Sequence, residues 1–520
     1  MAKSISPIDR ALTSPATERY RIGISLVFLL GVWLYVGQMS TGMPGSMLLM
    51  AAAAIGAYMA VNIGANDVAN NVGPAVGSGA LSLGAAILIA ALFEAGGALI
   101  AGGDVVSTIK KGIINPSSLT DVQAFVWLMM AALLAGALWL NLATWMGAPV
   151  STTHSIVGGV LGAGVAAGGW DIANWSVMGA IAASWVISPV LGGLIAAFFL
   201  YVIKRTVLYQ SNMVAAARKV VPWVVALMAW AFGTYLMLKG VKHIIKVDFM
   251  TAALIGLALG AVVWVVMRGT IGRRAATMAN AEDGVNGLFT WPLIFAAALL
   301  SFAHGANDVA NAIGPLAAIN DALAHGSVAA AASIPMWVMV VGALGIALGL
   351  SLFGPRLIKT VGSEITELDK TRAFCIALSA AITVIIASQL GLPVSSTHIA
   401  LGGVFGVGFL REYLKRSYAS QLHRIVENHE GEDKERIQAF LARFREATVE
   451  DMEAMLKSTK KKSSDVPLSK KERKRLKKIY KEELVKRSQL TRIAAAWIIT
   501  VPASACMAAL LFFTLRGLLV

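Results

Sequence analysis

The chain has 520 residues, of which 57% are apolar and 14% charged, against roughly 25% charged in an ordinary soluble domain. Residues 411–492 hold 23 of the 44 Lys and Arg and 14 of the 29 Asp and Glu, so the rest is far too apolar for a soluble protein. The net charge of +15 does not indicate nucleic-acid binding, because it arises from this insert and from the ends of apolar stretches. Cys375 and Cys506 both lie in apolar runs, which excludes a disulfide-stapled secreted fold.

In chain order, apolar stretches of about the length that crosses a bilayer are predicted at 22–39, 47–63, 80–102, 124–146, 150–168, 175–203, 220–238, 248–267, 289–304, 328–353, 372–390, 392–410 and 493–515. The first stretch follows a polar segment and has no convincing small-residue cleavage site. It is therefore predicted to be a retained span and not a signal peptide.

Basic residues predict the orientation of these spans. The three most basic connections lie at residues 204–219, 268–274 and 411–492. If every stretch crosses once and the N-terminus is inside, all three face the cytoplasm, as the positive-inside rule requires. Lys239, Lys242 and Lys246 then lie outside, against the rule, and the parity changes if 150–168 and 392–410 are re-entrant.

Two motifs occur twice. Residues 64–76 read GANDVANNVGPAV and residues 305–317 read GANDVANAIGPLA; residues 147–164 read GAPVSTTHSIVGGVLGAG and residues 391–408 read GLPVSSTHIALGGVFGVG. In the predicted topology the two copies run in opposite directions, as in the inverted repeats of many secondary transporters. We predict an all-α polytopic membrane protein, with two inverted repeats and broken or re-entrant helices around a central site, plus a cytoplasmic helical insert.

The predicted organisation has six parts. They are an N-terminal segment with the first span (1–46), transport repeat 1 (47–205), connecting spans and loops (206–287), transport repeat 2 (288–412), the charged cytoplasmic insert (413–491) and a C-terminal span (492–520).

The Asn-Asp pairs at 66–67 and 307–308 follow apolar stretches and are bracketed by glycine and proline. A carboxylate at membrane depth is costly unless it is paired, hydrated or bound to a cation. Gly and Pro would let the helix break there, so that freed carbonyls join the carboxylate around a small hard cation. The alternative is an Asp that caps a helix at the interface, a role that Ser or Thr would also fill. The predicted cation-binding residues are Asn66, Asp67, Asn70, Asn307, Asp308 and Asn311.

The second motif places a proline and hydroxyl residues before a Gly-rich apolar helix, at 149–154 and at 393–398. Proline followed by hydroxyls indicates a helix N-terminus, whose free N–H groups and partial positive charge suit an oxyanion. The alternative is that the hydroxyls only cap their helices. His154 and His398 are predicted to be structural hydrogen-bonding groups, since no metal-ligand spacing accompanies them. The predicted oxyanion-binding residues are Ser151, Thr152, Thr153, Ser395, Ser396 and Thr397.

The charges of the two motifs predict coupling. An anion beside Asp67 and Asp308 would be repelled, and neither motif supplies a lysine or arginine. The anion can therefore bind only if cations or protons bind with it, which is symport. No cofactor and no metal beyond the coupling cation are predicted.

The doubled GANDVAN and the doubled P-V-S-S/T-T-H resemble the signatures of the inorganic phosphate transporter (PiT) family over roughly residues 47–205 and 288–412. The resemblance implies a helical carrier of inverted repeats that moves inorganic phosphate with Na⁺, or in some bacterial members with H⁺ or as a metal–phosphate complex. It implies that the Asn-Asp pairs line the cation site, with Glu94 as a further residue there, and that Ser151, Thr152, Ser395 and Ser396 line the phosphate site. A second glutamate that the family often has is replaced by Ala377, between Ile376 and Leu378, which leaves the number of coupling ions open.

Three other functions are conceivable for such a sequence. A sulfate or other oxyanion permease shares the architecture implied by the resemblance. An intramembrane enzyme would need a nucleophile and a base, and Ser151 lies one helical turn from His154; the duplication of this pair argues against catalysis. A passive anion channel would favour a positive lining over paired aspartates. The protein is therefore predicted not to be an enzyme.

The insert is predicted to be a soluble helical hairpin with its linker at 458–467, or alternatively helices with a solvated face. It could serve regulation, partner docking or anionic-lipid binding. Further expectations are a multi-pass location in a bacterial inner membrane, a homodimer, and a regulatory partner for residues 413–491.

Overall fold

The computed structural model describes residues 18–115, 119, 121–210, 212–240, 247–278, 280–328, 334–364, 368–415, 431–446 and 487–519, with residues 426, 455, 459, 468–469 and 476. Most of these residues are helical, and their one β-bridge joins Ile114 to Ala173. The helices are α1 (Glu18–Met39), α2 (Ser46–Gly77), α3 (Leu83–Ala101), α4 (Gly103–Ser107), α5 (Val122–Met146), α6 (Thr152–Gly168), α7 (Trp175–Ile203), α8 (Met213–Lys239), α9 (Phe249–Ala275), α10 (Glu282–Leu288), α11 (Thr290–Asp308), α12 (Ala310–His325), α13 (Met336–Leu352), α14 (Gly354–Glu364), α15 (Lys370–Gln389), α16 (Ser396–Lys415), α17 (Gly431–Glu446) and α18 (Arg487–Leu519).

Ten helical segments of the described chain are long and apolar enough to cross a bilayer, which confirms an all-α polytopic membrane protein. Three of the predicted stretches are not among the ten. They correspond to α13, which has 17 residues, and to α6 and α16, the two helices that follow the hydroxyl clusters. Length and hydropathy therefore do not assign α6 and α16 as full spans.

The two copies of GANDVAN fold differently, and the predicted helix break is wrong for the first copy. Helix α2 continues through Asn66, Asp67 and even Pro74 to Gly77. In the second copy α11 ends at Asp308 and α12 begins two residues later. A proline removes one N–H and does not oblige a helix to end, if the surrounding packing holds the backbone.

Two helix pairs have the same close packing. Gly64 of α2 lies against the backbone of Ile346 in α13, and Gly305 of α11 lies against the backbone of Glu94 in α3. A Cβ at either glycine would overlap the facing carbonyl oxygen. Because Gly64 and Gly305 hold the same place in the two motifs, α3 and α13 occupy corresponding places as well. The duplication thus extends to helices whose sequences do not reveal it.

The chain divides into two compact units, residues 1–406 with 489–520 and residues 407–488. In the first unit α2 is central and contacts α1, α5, α11, α12, α13 and α14. In the second unit α17 is described, and it buries Ile437, Phe440, Leu441 and Phe444. The predicted linker at 458–467 lies almost wholly outside the described residues.

Candidate functional site: a buried centre between two duplicated motifs

Both motif pairs meet at one buried centre. The first Asn-Asp pair lies within α2 and the second at the end of α11, while the hydroxyl clusters open α6 and α16. Every predicted site residue is at most 3% exposed: Asn66, Asp67, Asn70, Glu94, Ser151, Thr152, Thr153, Asn307, Asp308, Asn311, Ser395, Ser396 and Thr397. A centre of this polarity inside an apolar bundle must satisfy its groups internally or with a ligand.

The first hydroxyl of each cluster caps its helix. The Ser151 hydroxyl accepts a hydrogen bond from the backbone N–H of His154 at 3.1 Å, and Ser395 accepts one from His398 at 3.3 Å. The alternative prediction of simple capping thus describes these two serines. The remaining hydroxyls have other partners.

The carboxylates of the first motif accept hydrogen bonds from the hydroxyls of the second. Asp67 accepts from Thr152 at 2.8 Å and from Thr397 at 3.2 Å, so it contacts both clusters. Asp308 accepts from Ser396 at 3.0 Å, the counterpart of the bond from Thr152. The predicted cation site and the predicted anion site are therefore contiguous.

The asparagines three residues after the aspartates link the two repeats. Asn70 donates to the hydroxyl of Thr397 at 2.8 Å, and Asn311 donates to that of Thr153 at 3.2 Å. Thr153 in turn donates to the carbonyl of the valine in the opposite cluster at 3.0 Å. Each asparagine of one repeat thus binds the third hydroxyl of the other.

The asparagines that precede the aspartates hold the loops before the clusters. Asn66 donates to the hydroxyl of Thr144 at 3.0 Å, and Asn307 donates to that of Ser388 at the same distance. Each also donates to a loop carbonyl at 3.3 Å. These amides orient the clusters toward the centre.

An imidazole lies among three carboxylates at this centre. The Nε2 atom of His304 is 2.8 Å from Asp308 and 3.4 Å from Asp67, and its Nδ1 is 3.1 Å from Glu94. Asn71 donates to the other oxygen of Glu94 at 2.7 Å. Glu94 thus joins the centre through His304 and Asn71.

The oxygen inventory of the centre fits a small hard cation. Among the described residues, Asp308 Oδ1, Asn311 Oδ1 and Asn71 Oδ1 are buried and accept no hydrogen bond. Ligand atoms of Asp67, His304 and Asp308 lie within 4.8 Å of one another. Carboxylate and amide oxygens are the ligands that hard cations prefer.

The two histidines of the hydroxyl motifs meet each other. The ring centroids of His154 and His398 are 4.3 Å apart, edge to face, and His154 also packs on Trp185 at 3.8 Å. Ser151 accepts from the backbone of His154 and not from its ring. This arrangement differs from the serine–imidazole pair that the enzyme alternative requires.

The centre is not fully symmetric. His304 holds the place of Ile63 in the first copy, and Glu94 corresponds to Ile346 by its packing. Ala377, where the resemblance indicates a second glutamate, is buried in α15. The contact between Glu94 of repeat 1 and His304 of repeat 2 thus corresponds to a contact region with two isoleucines, Ile346 of repeat 2 and Ile63 of repeat 1.

Sequence reasoning missed His304 and Asn71. The available signal was the position of His304, directly before the second GANDVAN, where the first copy has an apolar residue. Asn71 directly follows the first GANDVAN, where the second copy has Ala312. Comparison of the residues that border the repeats would have identified both.

Apolar helices around a buried centre of carboxylates, amides and hydroxyls define a multi-pass membrane protein with an internal polar site. A model of the Phosphate transporter family matches residues 63–508, and the chain belongs to that family.

The relatives agree with this membership. A protein of Helicobacter pylori described as "Putative phosphate permease" is 53% identical over 99% of this chain and 98% of its own length. A Pyrococcus abyssi protein with the same description is 41% identical over 69% of this chain and 87% of its own. A solved structure described as "The sodium-dependent phosphate transporter" superimposes with a TM-score of 0.74 at 31% identity, covering 91% of this chain and 99% of that one.

Proposed function

We propose that this protein is a secondary active transporter that imports inorganic phosphate by cation-coupled symport, with Na⁺ or H⁺, across a bacterial inner membrane. The observation that supports it is the position of Asp67, whose carboxylate accepts hydrogen bonds from a hydroxyl of each cluster. An anion held by those hydroxyls would lie beside a carboxylate. The repulsion is relieved when a cation or proton occupies the carboxylate side, so the two ligands favour each other.

The proposal assigns the residues by chemistry. The hydroxyl clusters donate to the phosphate oxygens, and the oxygens of the Asn-Asp motifs hold the cation. Glu94 belongs to the cation side because His304 connects it to Asp308. Membership of the family favours phosphate, and the sodium dependence of the solved relative favours Na⁺. A sulfate or other oxyanion permease is the second candidate, since hydroxyl and N–H donors would also suit that anion.

The proposal includes two repeats of opposite orientation. Equivalent asparagines of the two repeats make equivalent hydrogen bonds: those of Asn66 match those of Asn307, and that of Asn70 matches that of Asn311. Bistable packing of the two halves around a fixed site would expose the centre alternately to each side. The homodimer and a regulatory partner for residues 413–491 stay predictions.

The test is uptake of radiolabelled phosphate by proteoliposomes that contain the full chain, with Na⁺ and pH gradients imposed separately. We expect uptake with one of the gradients and its loss in Asp67→Asn and Asp308→Asn. The control is Asp248→Asn, an exposed helix cap that asparagine can replace. Gradient-driven uptake at the wild-type rate in both site variants would refute the cation assignment. Preferred uptake of sulfate would favour the second candidate.

A further inference from the structure

A basic cleft lies between α8 and α9, in the connecting helices that belong to neither repeat. Its volume is about 660 Å³. Its polar and aromatic lining consists of Asn212, Arg218, Lys219, Trp223, Trp264 and Arg268. No part of the proposed transport site touches it, so its chemistry needs a separate explanation.

The basic side chains of the cleft are positioned by contacts with α9. The guanidinium of Arg218 lies over Gly272 of α9, where an added Cβ would be 3.5 Å from its Nε atom. Arg268 lies over the ring of Trp264, at 5.1 Å from the ring centroid. Within the described part of the chain, no carboxylate forms an ion pair with Arg218, Lys219 or Arg268. The cleft is thus electrostatically suited to an anion.

The surrounding charges have the same sign. The segments 204–219 and 268–283, at this end of α8 and α9, contain seven Lys and Arg against Glu282 and Asp283. The positive-inside rule places such an end at the cytoplasmic face. Anionic lipids of that leaflet are attracted to basic groups near the surface.

Two tryptophans lie about one helical turn further into the membrane than the basic residues of the cleft. The rings of Trp223 and Trp264 are 5.1 Å apart, and Trp223 is 64% exposed. The Trp264 Nε1 atom is buried and has no acceptor among the described residues. Tryptophans concentrate where acyl chains meet headgroups, because their rings are apolar and their N–H needs a polar partner.

The outer surface of α9 indicates which anion is available. Only 17% of the most apolar 18-residue stretch of α9 is buried within the protein, so the helix faces lipid along most of its length. A ligand in the cleft is therefore adjacent to the bilayer. From the basic lining and the tryptophans we infer that this cleft binds the phosphate-bearing headgroup of an anionic membrane lipid. The inference is independent of the transport proposal.

The test is native mass spectrometry of the full-length protein taken from vesicles of phosphatidylcholine and phosphatidylglycerol in equal parts. We expect the wild type to retain phosphatidylglycerol in preference to phosphatidylcholine. Arg218→Gln combined with Arg268→Gln should bind it about thirtyfold more weakly, since each basic residue at an anionic lipid surface contributes about fivefold. The matched control, Arg273→Gln with Arg274→Gln, also removes two positive charges, from the C-terminal end of α9, at residues that do not line the cleft.

A second variant, Trp264→Phe, keeps the aromatic ring and removes the buried N–H. It should weaken retention while the protein elutes as the wild type does in size-exclusion chromatography. Equal loss in the Arg273/Arg274 control would overturn the inference, because it would show a diffuse charge effect. Displacement of the bound species by inorganic phosphate at low concentration would also overturn it, since the ligand would then be free phosphate.

Discussion

The pairing of Glu94 with His304 allows a quantitative prediction, because the corresponding positions, Ile346 and Ile63, form an apolar version of the same contact between the two repeats. Removing one member of a buried polar pair leaves the other unsatisfied and costs about 1–3 kcal/mol, while replacing both by apolar groups can be nearly neutral. We therefore expect Glu94→Ile and His304→Ile each to destabilise the protein by that amount. His304→Ile should cost more, since His304 also contacts Asp67 and Asp308.

The double variant, Glu94→Ile with His304→Ile, reproduces the residues found at the corresponding positions, where Ile346 corresponds to Glu94 and Ile63 to His304. Its cost should fall short of the sum of the single costs by about 2–3 kcal/mol, the upper range for residues in contact. The free energy of unfolding is measured in mixed micelles by titration with dodecyl sulfate, followed by tryptophan fluorescence.

The matched control is the pair Ile63→Val and Ile346→Val, whose costs of about 1 kcal/mol each should depart from additivity by only about 0.5 kcal/mol, because no polar partner is left unsatisfied. Additive costs for Glu94→Ile and His304→Ile would refute the reasoning, because they would show that the two side chains do not stabilise each other.

Three further predictions follow from the site and its packing. Thr153→Val and Thr397→Val should each raise the phosphate concentration for half-maximal uptake about tenfold or more, since a hydrogen bond to a charged group is worth about 1.5–3 kcal/mol; unchanged half-saturation in both would contradict the assignment. Gly305→Ala should lower the yield of monodisperse protein, because its Cβ would overlap the facing backbone, whereas Gly179→Ala, in open space, should not. Replacing residues 420–485 by a flexible linker should leave coupled uptake in liposomes intact, and loss of uptake with normal yield would place the insert within the transport mechanism.

The membrane class and the meeting of the two motif pairs at one centre could be predicted from the sequence. Lipid cannot satisfy backbone groups, so apolar stretches of this length must be helices. Proline and hydroxyls predicted helix starts at the two clusters, and α6 and α16 do begin at Thr152 and Ser396. The duplication indicated that the motifs share one centre, and Asp67 does contact hydroxyls of both clusters.

Features that depend on packing between distant helices could not be predicted. Local sequence gave the same expectation for Pro74 and Pro315, yet only the second motif lies at a helix junction, and even there the junction precedes the proline. The correspondence of Glu94 with Ile346 depends on which helix faces each glycine, and no sequence similarity marks it. The hydrogen bond from Asn70 of repeat 1 to Thr397 of repeat 2 likewise joins elements that only the folded chain brings together.

The hydrogen bond between Asn70 and Thr397 also determines when the centre can be completed during synthesis. The two residues are 327 positions apart, and at about 5–20 residues per second a ribosome needs tens of seconds to make the intervening chain. Throughout that interval Asp67 is already present in a helix destined for the bilayer, without the hydroxyl of Thr397. Before then the carboxylate has Thr152 of the first half as its hydroxyl partner. A carboxylate at membrane depth is costly, so we expect the nascent helix to stay near water or the insertion machinery until the second half emerges. Biogenesis of this protein therefore depends on how long its first half persists without aggregation or degradation before the second half is made. Truncated chains should be targets of membrane quality control.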